Sequence, residues 1–299
     1  MRERHPRCGW QGCAVIDERG FIEALRKLPL HPGARGLEDD CAVLEIGQET
    51  LILTHDSMAE RTHWLPDADP YDIAWKLVAT NLSDLASKGA DPIGLLLSHT
   101  LGKEDERFVE GLHAILSQYD VPLLGGDTIK ADGPRTLGLT AIGRATHTPV
   151  PARSGAQIGD YVYVTGALGR AMLAFIGDPA HLDAYNRPVP RLSEGQALAP
   201  HVTAMMDISD GLLLDAFRMA QASEVTLSID SSKVPVAAPE RHADCLCWGD
   251  DYELLFTLPP DVVPPVLCTR IGKAEPQGFA PMMLDGEPIV NSEGLGYQH

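Results

Sequence analysis

The sequence predicts a two-domain α/β (α+β) fold. β-prone and amphipathic helical stretches alternate along the chain, the pattern breaks once at a Pro- and Gly-rich segment near the middle, and it then restarts. The 299 residues are enough for two domains of ordinary size, each with its own core.

In the first half, Ala42–Ile46 and residues 50–54 are apolar and β-prone, with a turn-like Gly47-Gln48 between them. A helix follows over residues 70–88. Asp69 is an acidic N-cap, Pro70 takes the first helical position, and Gly89 is a C′ glycine. Residues 104–119 make a second amphipathic helix, with Phe108, Leu112, Ile115, Leu116 and Tyr119 on one face. Thr136–Ala145 returns to strand. Residues 146–160 carry the shift in composition, which sets the expected domains at 1–148 and 149–299. The second half restarts with a strand at 161–165, a Gly166-Ala-Leu-Gly169 turn and a helix at 170–176. A strand at 202–206 runs into Asp207-Ile-Ser-Asp-Gly211 and a helix at 212–222, and residues 253–258 form a further strand.

Composition excludes several function classes. The chain is 44% hydrophobic and 22% charged, with a formal net charge of −18 and no basic cluster. A nucleic-acid or anionic-membrane surface needs Lys and Arg against phosphates, so neither partner is expected. Phosphate ligands remain compatible with an acidic site through bridging Mg²⁺. No apolar run is long enough to cross a bilayer, and residues 1–12 lack the apolar core of a secretory signal, so a cytoplasmic location is expected. Cys8, Cys13, Cys41, Cys245, Cys247 and Cys268 are irregularly spaced and form neither a zinc site nor a CxxC motif; they are expected as reduced structural thiols.

The informative signal is acidic residues where a fold would not choose them. On the 70–88 helix, Ile73, Leu77, Val78, Leu82 and Leu85 make an apolar arc, and at 100° per residue Asn81 and Asp84 project inside it. An unpaired buried carboxylate costs several kcal/mol, so an inward Asp calls for a cation. Asp39-Asp40 lies before a strand, Asp56 is expected directly after one, and Asp127 follows Gly125-Gly126 at an expected strand end. Asp207 and Asp210 bracket Ser209 between a strand and a helix. Any one of these also fits a turn residue or N-cap; together they recur where open α/β sheets bind ligands. Mg²⁺ suits such a set, because it takes a few carboxylates and completes its shell with water and phosphate. Gly125-Gly126, Gly166-x-x-Gly169 and the Ser209-Asp-Gly211 helix start offer backbone N–H groups to phosphate oxygens, or are plain tight turns. The P-loop, protein-kinase, Ser-elbow and HExxH motifs are all missing from the sequence.

In order along the chain stand Glu38-Asp-Asp-Cys-Ala-Val-Leu44, Leu53-Thr-His-Asp56 with His63, Asn81-Leu-Ser-Asp-Leu-Ala86, Gly125-Gly-Asp-Thr128 and Arg153-Ser-Gly-Ala156. Tyr163-Val-Thr-Gly-Ala-Leu-Gly169, Arg187-Pro-Val-Pro-Arg191, Met206-Asp-Ile-Ser-Asp-Gly-Leu212, Gly249-Asp-Asp-Tyr-Glu-Leu254 and Gly296-Tyr-Gln-His299 follow. This ordered set resembles the thiamine-monophosphate kinase family, in the superfamily of aminoimidazole ribonucleotide synthetase and selenophosphate synthetase. The resemblance implies an N-terminal domain that pairs with a second copy into a β-barrel, making a homodimer, and a C-terminal α/β sandwich. ATP as co-substrate and several Mg²⁺ ions would lie in the cleft between the domains. By position, Asp40, Thr54, Asp56, Asp84, Asp127, Asp207 and Asp210 match metal ligands. Gly126, Asp127, Arg153 and Ser209 match nucleotide contacts, and His63, Asp250 and Tyr297 match contacts to thiamine monophosphate. Asp210 and Arg153 count as the catalytic pair.

The chain departs from the family pattern at His55, where a metal-contacting threonine hydroxyl is usual, and at Glu38, Arg61 and Trp248. The Gly-rich Cys loop of selenophosphate synthetase and the Cys-ending tail of the related hydrogenase-maturation protein are absent from the sequence. The implied reaction is direct in-line transfer of the ATP γ-phosphoryl group to the acceptor's phosphate. A nucleotide- or thiamine-binding protein without catalysis is the alternative, and His55 is the residue that favours it.

Overall fold

The computed structural model describes residues 18–64 and 67–298, so Cys8 and Cys13 lie outside the described residues. Among these, the first half contains α1 (Glu18–Leu25), β1 (Ala42–Ile46), β2 (Glu49–Ala59), α2 (Pro70–Ser87), β3 (Ala90–Thr100), α3 (Asp105–Tyr119), β4 (Leu123–Ile129) and β5 (Thr136–Ala145). The second half contains β6 (Tyr161–Val164), α4 (Arg170–Phe175), α5 (Leu182–Asn186), α6 (Leu192–Leu198), β7 (Ala204–Asp207), α7 (Leu212–Ser223) and β8 (Thr226–Ile229). It continues with α8 (His242–Cys247), β9 (Leu254–Leu258), β10 (Thr269–Glu275), β11 (Met282–Leu284) and β12 (Glu287–Ile289). Each half builds one sheet, in the orders β1-β2-β5-β3-β4 and β12-β11-β8-β10-β6-β9-β7. Both are antiparallel except for the β3–β4 and β8–β11 pairs.

α2 forms where its sequence signals place it. The Asp69 carboxylate accepts the Tyr71 N–H at 2.9 Å, Pro70 needs no donor, and Gly89 leaves the helix at φ +61°. Ile73, Leu77, Val78, Leu82 and Leu85 are buried, each contributing about 1.5–3 kcal/mol relative to exposure. The helix packs on β2 and β5 on one side and on α6 and β7 on the other, so it is the wall the two halves share. α6 crosses it so closely that a Cβ on Gly195 would stand 1.9 Å from the Ala86 carbonyl oxygen.

Two expectations need correction. β2 does not end before Asp56; β5 carries the ladder on to the Ala59–Thr136 pair. Asp56 is therefore an in-strand residue, and Asp127 is likewise inside β4 rather than at a strand end. The first sheet is open within one chain, with β1 and β4 as its edges. Among the described residues, no helix is long and apolar enough to cross a membrane.

Candidate active site

Around one stretch of α2, three carboxylates from three elements gather. The Thr54 hydroxyl donates to the Asp84 carboxylate and lies 3.4 Å from the Asp40 carbonyl oxygen. Asn81 is fully buried: its amide oxygen accepts the Asp56 N–H at 3.1 Å and its amide nitrogen donates to the Leu77 carbonyl at 2.9 Å. Across the domain boundary, the Ser83 hydroxyl donates to Asp207 Oδ2 at 2.6 Å, at the end of β7. The inward projection of Asn81 and Asp84 is thus realised, and α2 carries one of the three acids and contacts the other two.

Burial, then the charges of Asp56, Asp207 and Asp40, push the Asp84 carboxyl well above its ordinary value, against the Thr54 hydrogen bond. Burial also lifts Asp207 to about 8, with Asp40, Asp215 and Asp56 adding to it and Ser83 opposing. Asp56 is raised chiefly by burial, with His55 and Thr80 opposing. The lysines and arginines of the site pair with other acids, which leaves Asp84 and Asp207 without an ion-pair partner among the described residues and Asp56 with only the electrostatic pull of His55. Mutually repelling oxygen donors short of cations fit a hard divalent ion such as Mg²⁺. Among the described residues, no three such side chains already close on one point in ligating geometry, so an ion would have to draw them together.

The raised carboxyls carry a sign for stability. A group at 3.8 unfolded and about 8 folded binds more protons when folded, so its contribution is lost as pH rises between those values. The metal-free protein is expected to lose several degrees of melting temperature between pH 5 and pH 8, with Mg²⁺ restoring most of it at the upper end. Scanning calorimetry of the protein and of Asp207→Asn checks this; the variant should show the flatter slope, and an equal slope would refute the assignment.

Asp39 and Asp40 differ from that trio. Lys88, fully buried at the end of α2, reaches Asp39 Oδ1 at 2.6 Å and Asp40 Oδ2 at 2.7 Å. Arg153 bonds the other Asp40 oxygen and Arg35 bonds Asp39. Burial opposes ionisation, yet Lys88 and Arg153 hold the Asp40 carboxyl well below the usual range. Asp210 is paired with Arg218, which also lies 3.0 Å from Asp215 Oδ1. Asp215 is fully buried, accepts the Asp210 N–H at 3.1 Å, and is raised to about 7 by burial and then by the Asp210 charge.

Ser209, matched to the nucleotide, and the positions matched to the acceptor are tied to the same region. Ser209 is exposed, and its carbonyl accepts the Asp250 N–H at 2.8 Å, while the Asp210 carbonyl accepts the Tyr297 N–H at 2.9 Å. His63 Nδ1 accepts the Ala59 N–H at 3.0 Å, and the Tyr185 hydroxyl donates to the His63 carbonyl at 3.3 Å. Asp250 holds the Lys76 ammonium at 2.8 Å and the Tyr252 hydroxyl at 2.9 Å. Trp248 packs on Phe175, which in turn packs on Tyr185.

Asp127 stands apart. Directly opposed residues on neighbouring strands share a face, and Ser57, Gly138, Ser98 and Asp127 are opposed in turn across β2, β5, β3 and β4. Asp127 therefore lies about 14 Å from β2, three strand spacings, and on the face opposite Thr54 and Asp56. Two oxygens on one Mg²⁺ are only about 4 Å apart or less, so Asp127 cannot share an ion with Asp56 of the same chain. His55 is on that outer face too, with Nδ1 at 2.9 Å from the Thr140 hydroxyl and Nε2 at 3.3 Å from Ser57. Its imidazole does not enter the carboxylate cluster. Gly126 has a packing reason of its own: at φ +148°, a Cβ there would meet the Leu97 carbonyl at 1.8 Å.

Sequence reasoning missed Lys76, Ser83, Lys88 and Asp215. Asp215 was discoverable by the criterion that flags Asp84, an acid on the apolar arc of Leu212-Leu-Leu-Asp-Ala-Phe-Arg218. Lys88 gives no such signal, since a lysine at a helix end ordinarily faces water.

Family models match both halves of the chain. The AIR synthase related protein N-terminal domain matches residues 38–145, and the corresponding C-terminal domain matches 157–278. The thiamine-monophosphate kinase of Escherichia coli K12 is 37% identical, over 88% of this chain and 91% of that protein. That of Methanospirillum hungatei is 32% identical, over 95% and 99%. A solved structure described as AaThiL complexed with AMPPCP and TMP superposes with a TM-score of 0.81 at 29% identity, covering 95% of this chain and 97% of that one.

Proposed function

Since the chain belongs to the thiamine-monophosphate kinases of the AIR synthase-related family, we propose that it transfers the γ-phosphoryl group of ATP to the phosphate of thiamine monophosphate, giving thiamine diphosphate and ADP. The observation that carries this reading is the trio Asp56, Asp84 and Asp207, gathered between the two halves with no ion-pair partner among the described residues.

Asp56, Asp84, Asp207 and Asp210, with Thr54 and Asp40 beside them, are the residues that would hold Mg²⁺. Bound there, Mg²⁺ would supply the positive charge that lets the acceptor's phosphate approach the ATP triphosphate and would stabilise the charge that develops on transfer. The acceptor's phosphate has a second pKa near 6 and is largely ionised at pH 7, so the chain need not supply a general base. Its own work is positioning. Arg153 turns from Asp40 toward the nucleotide phosphates, Ser209 and the backbone at Gly126 contact the nucleotide, and His63, Asp250 and Tyr297 border the acceptor. We keep the division at 148/149, with one sheet on either side, and a cytoplasmic location, where ATP is available.

We also read the enzyme as a homodimer. β1 pairs β2 only as far as Leu53, leaving the second half of β2 without a strand neighbour on that side, and β4 is an edge strand exposed along its whole length. Leu96, Leu123, Leu124 and Ile129 are about half exposed on β3 and β4. Pairing β4 of one chain with the unpaired half of β2 in another closes a barrel, covers these side chains, and sets the partner's β4, which carries Asp127, one strand spacing (~5 Å) from β2.

The direct test incubates the purified protein with ATP, Mg²⁺ and thiamine monophosphate, and follows thiamine diphosphate by chromatography. Product from the monophosphate and none from thiamine is the expected result. ATP binding without product from either would transfer the proposal to another phosphorylated acceptor or to a binding protein.

A further inference from the structure

Lys76 is 4% exposed on α2, and its ammonium lies 2.8 Å from Asp250 Oδ2 and 3.8 Å from the centroid of the Tyr185 ring. A carboxylate joined to an aromatic face is the chemistry that binds an organic cation, and here the cage is filled by the chain's own lysine. Its remaining members are held in place: Asp250 Oδ1 accepts the Tyr252 hydroxyl at 2.9 Å, and the Tyr185 hydroxyl donates to the His63 carbonyl at 3.3 Å. Asp250 is about one-third exposed and lines a cavity of about 490 Å³ together with Arg170, Arg187 and Arg191. Lys76, Thr80 and Asp84 recur at four-residue spacing, so one helix face runs about 12 Å from the cage to the carboxylate cluster.

Resting on the reading that the acceptor is thiamine monophosphate, we propose that Lys76 selects the phosphorylated acceptor by exchanging ion-pair partners. The acceptor's ring cation takes the Asp250–Tyr185 cage, and its phosphate becomes the counter-ion of the displaced ammonium. A buried ammonium left without an anion is costly. Unphosphorylated thiamine brings the cation without the anion, so on entering the cage it strands Lys76. Thiamine monophosphate brings both and leaves no charge uncompensated. Discrimination between the two then comes from this one lysine and needs no pocket shaped to the ester.

The competing role is a plain tie between the halves, since Lys76 and Asp250 stand on opposite sides of the domain boundary. Calorimetric Kd values for thiamine monophosphate and thiamine, measured without ATP, separate the two. In Lys76→Met, the monophosphate should bind about tenfold more weakly and thiamine severalfold more tightly, while Lys76→Arg keeps the preference. Equal weakening of both ligands, or no change in either, overturns the proposal. The unsubstituted protein gives a second reading that does not depend on a variant folding. Inorganic phosphate should tighten thiamine binding by supplying the missing anion, and absence of that synergy also counts against Lys76. Turnover of thiamine monophosphate by the unsubstituted protein is measured first. If there is none, the acceptor assignment fails and the Lys76 proposal falls with it; if turnover is normal, a negative result falls on Lys76 alone.

Discussion

Asp84→Asn is expected to lower kcat by about 10²–10³-fold or more while raising the melting temperature of the metal-free protein. Both effects have one cause. Asp84 is pushed up by burial and by the charges of Asp56, Asp207 and Asp40, so holding it as a carboxylate in the metal-free protein works against the fold. Asparagine keeps an oxygen to accept the Thr54 hydroxyl bond and removes the repulsion. Each kcal/mol relieved is worth ~2–4 °C in a domain of this class. Activity moves the other way, because the anionic oxygen that would face Mg²⁺ is gone. Asp207→Asn should behave alike, its Ser83 contact being equally available to an amide oxygen. Steady-state kinetics and a thermal melt on the same preparations check the pair. Near-normal turnover in both variants would sink the metal assignment, and a lowered melting temperature would mean the acids are structural.

The legible parts of the fold are those whose local and tertiary signals agree. α2 carries cap, proline, apolar arc and terminal glycine in one segment, and its bounds were predictable to a residue. β3 shows the opposite case. Pro92 and Gly94 interrupt its pattern, and only the register shift against β5 makes room for them, which is a property of the partner strand. The extension of β2 past Asp56 likewise depends on β5. Within the site, Asp84 was legible because an acid on an apolar arc conflicts with burial. Lys88 and Lys76 were not, because a lysine in a helix looks solvated until its counter-ion is known; those counter-ions, Asp39, Asp40 and Asp250, are 48 to 174 residues away in the chain.

Mixing two inactive variants should restore activity if the site is completed by a second copy. Asp127 lies on the outer face of its sheet, about 14 Å from β2, while Asp56 faces inward. If a second copy's Asp127 joins each cleft, as proposed, Asp127→Asn is as damaging as Asp84→Asn. In a heterodimer of the two variants, one site carries both lesions and the other carries neither. Random reassortment makes half the dimers mixed, so about a quarter of wild-type activity should return. The measurement is turnover after the two variants are unfolded together and refolded, compared with each refolded alone. Without a contribution from the partner, the Asp84→Asn chain lacks its own acid and the Asp127→Asn chain lacks its own, so neither site is repaired. A mixture no more active than its components would leave Asp127 acting within its own chain, which the sheet geometry forbids for an ion shared with Asp56, or with no role at the metal.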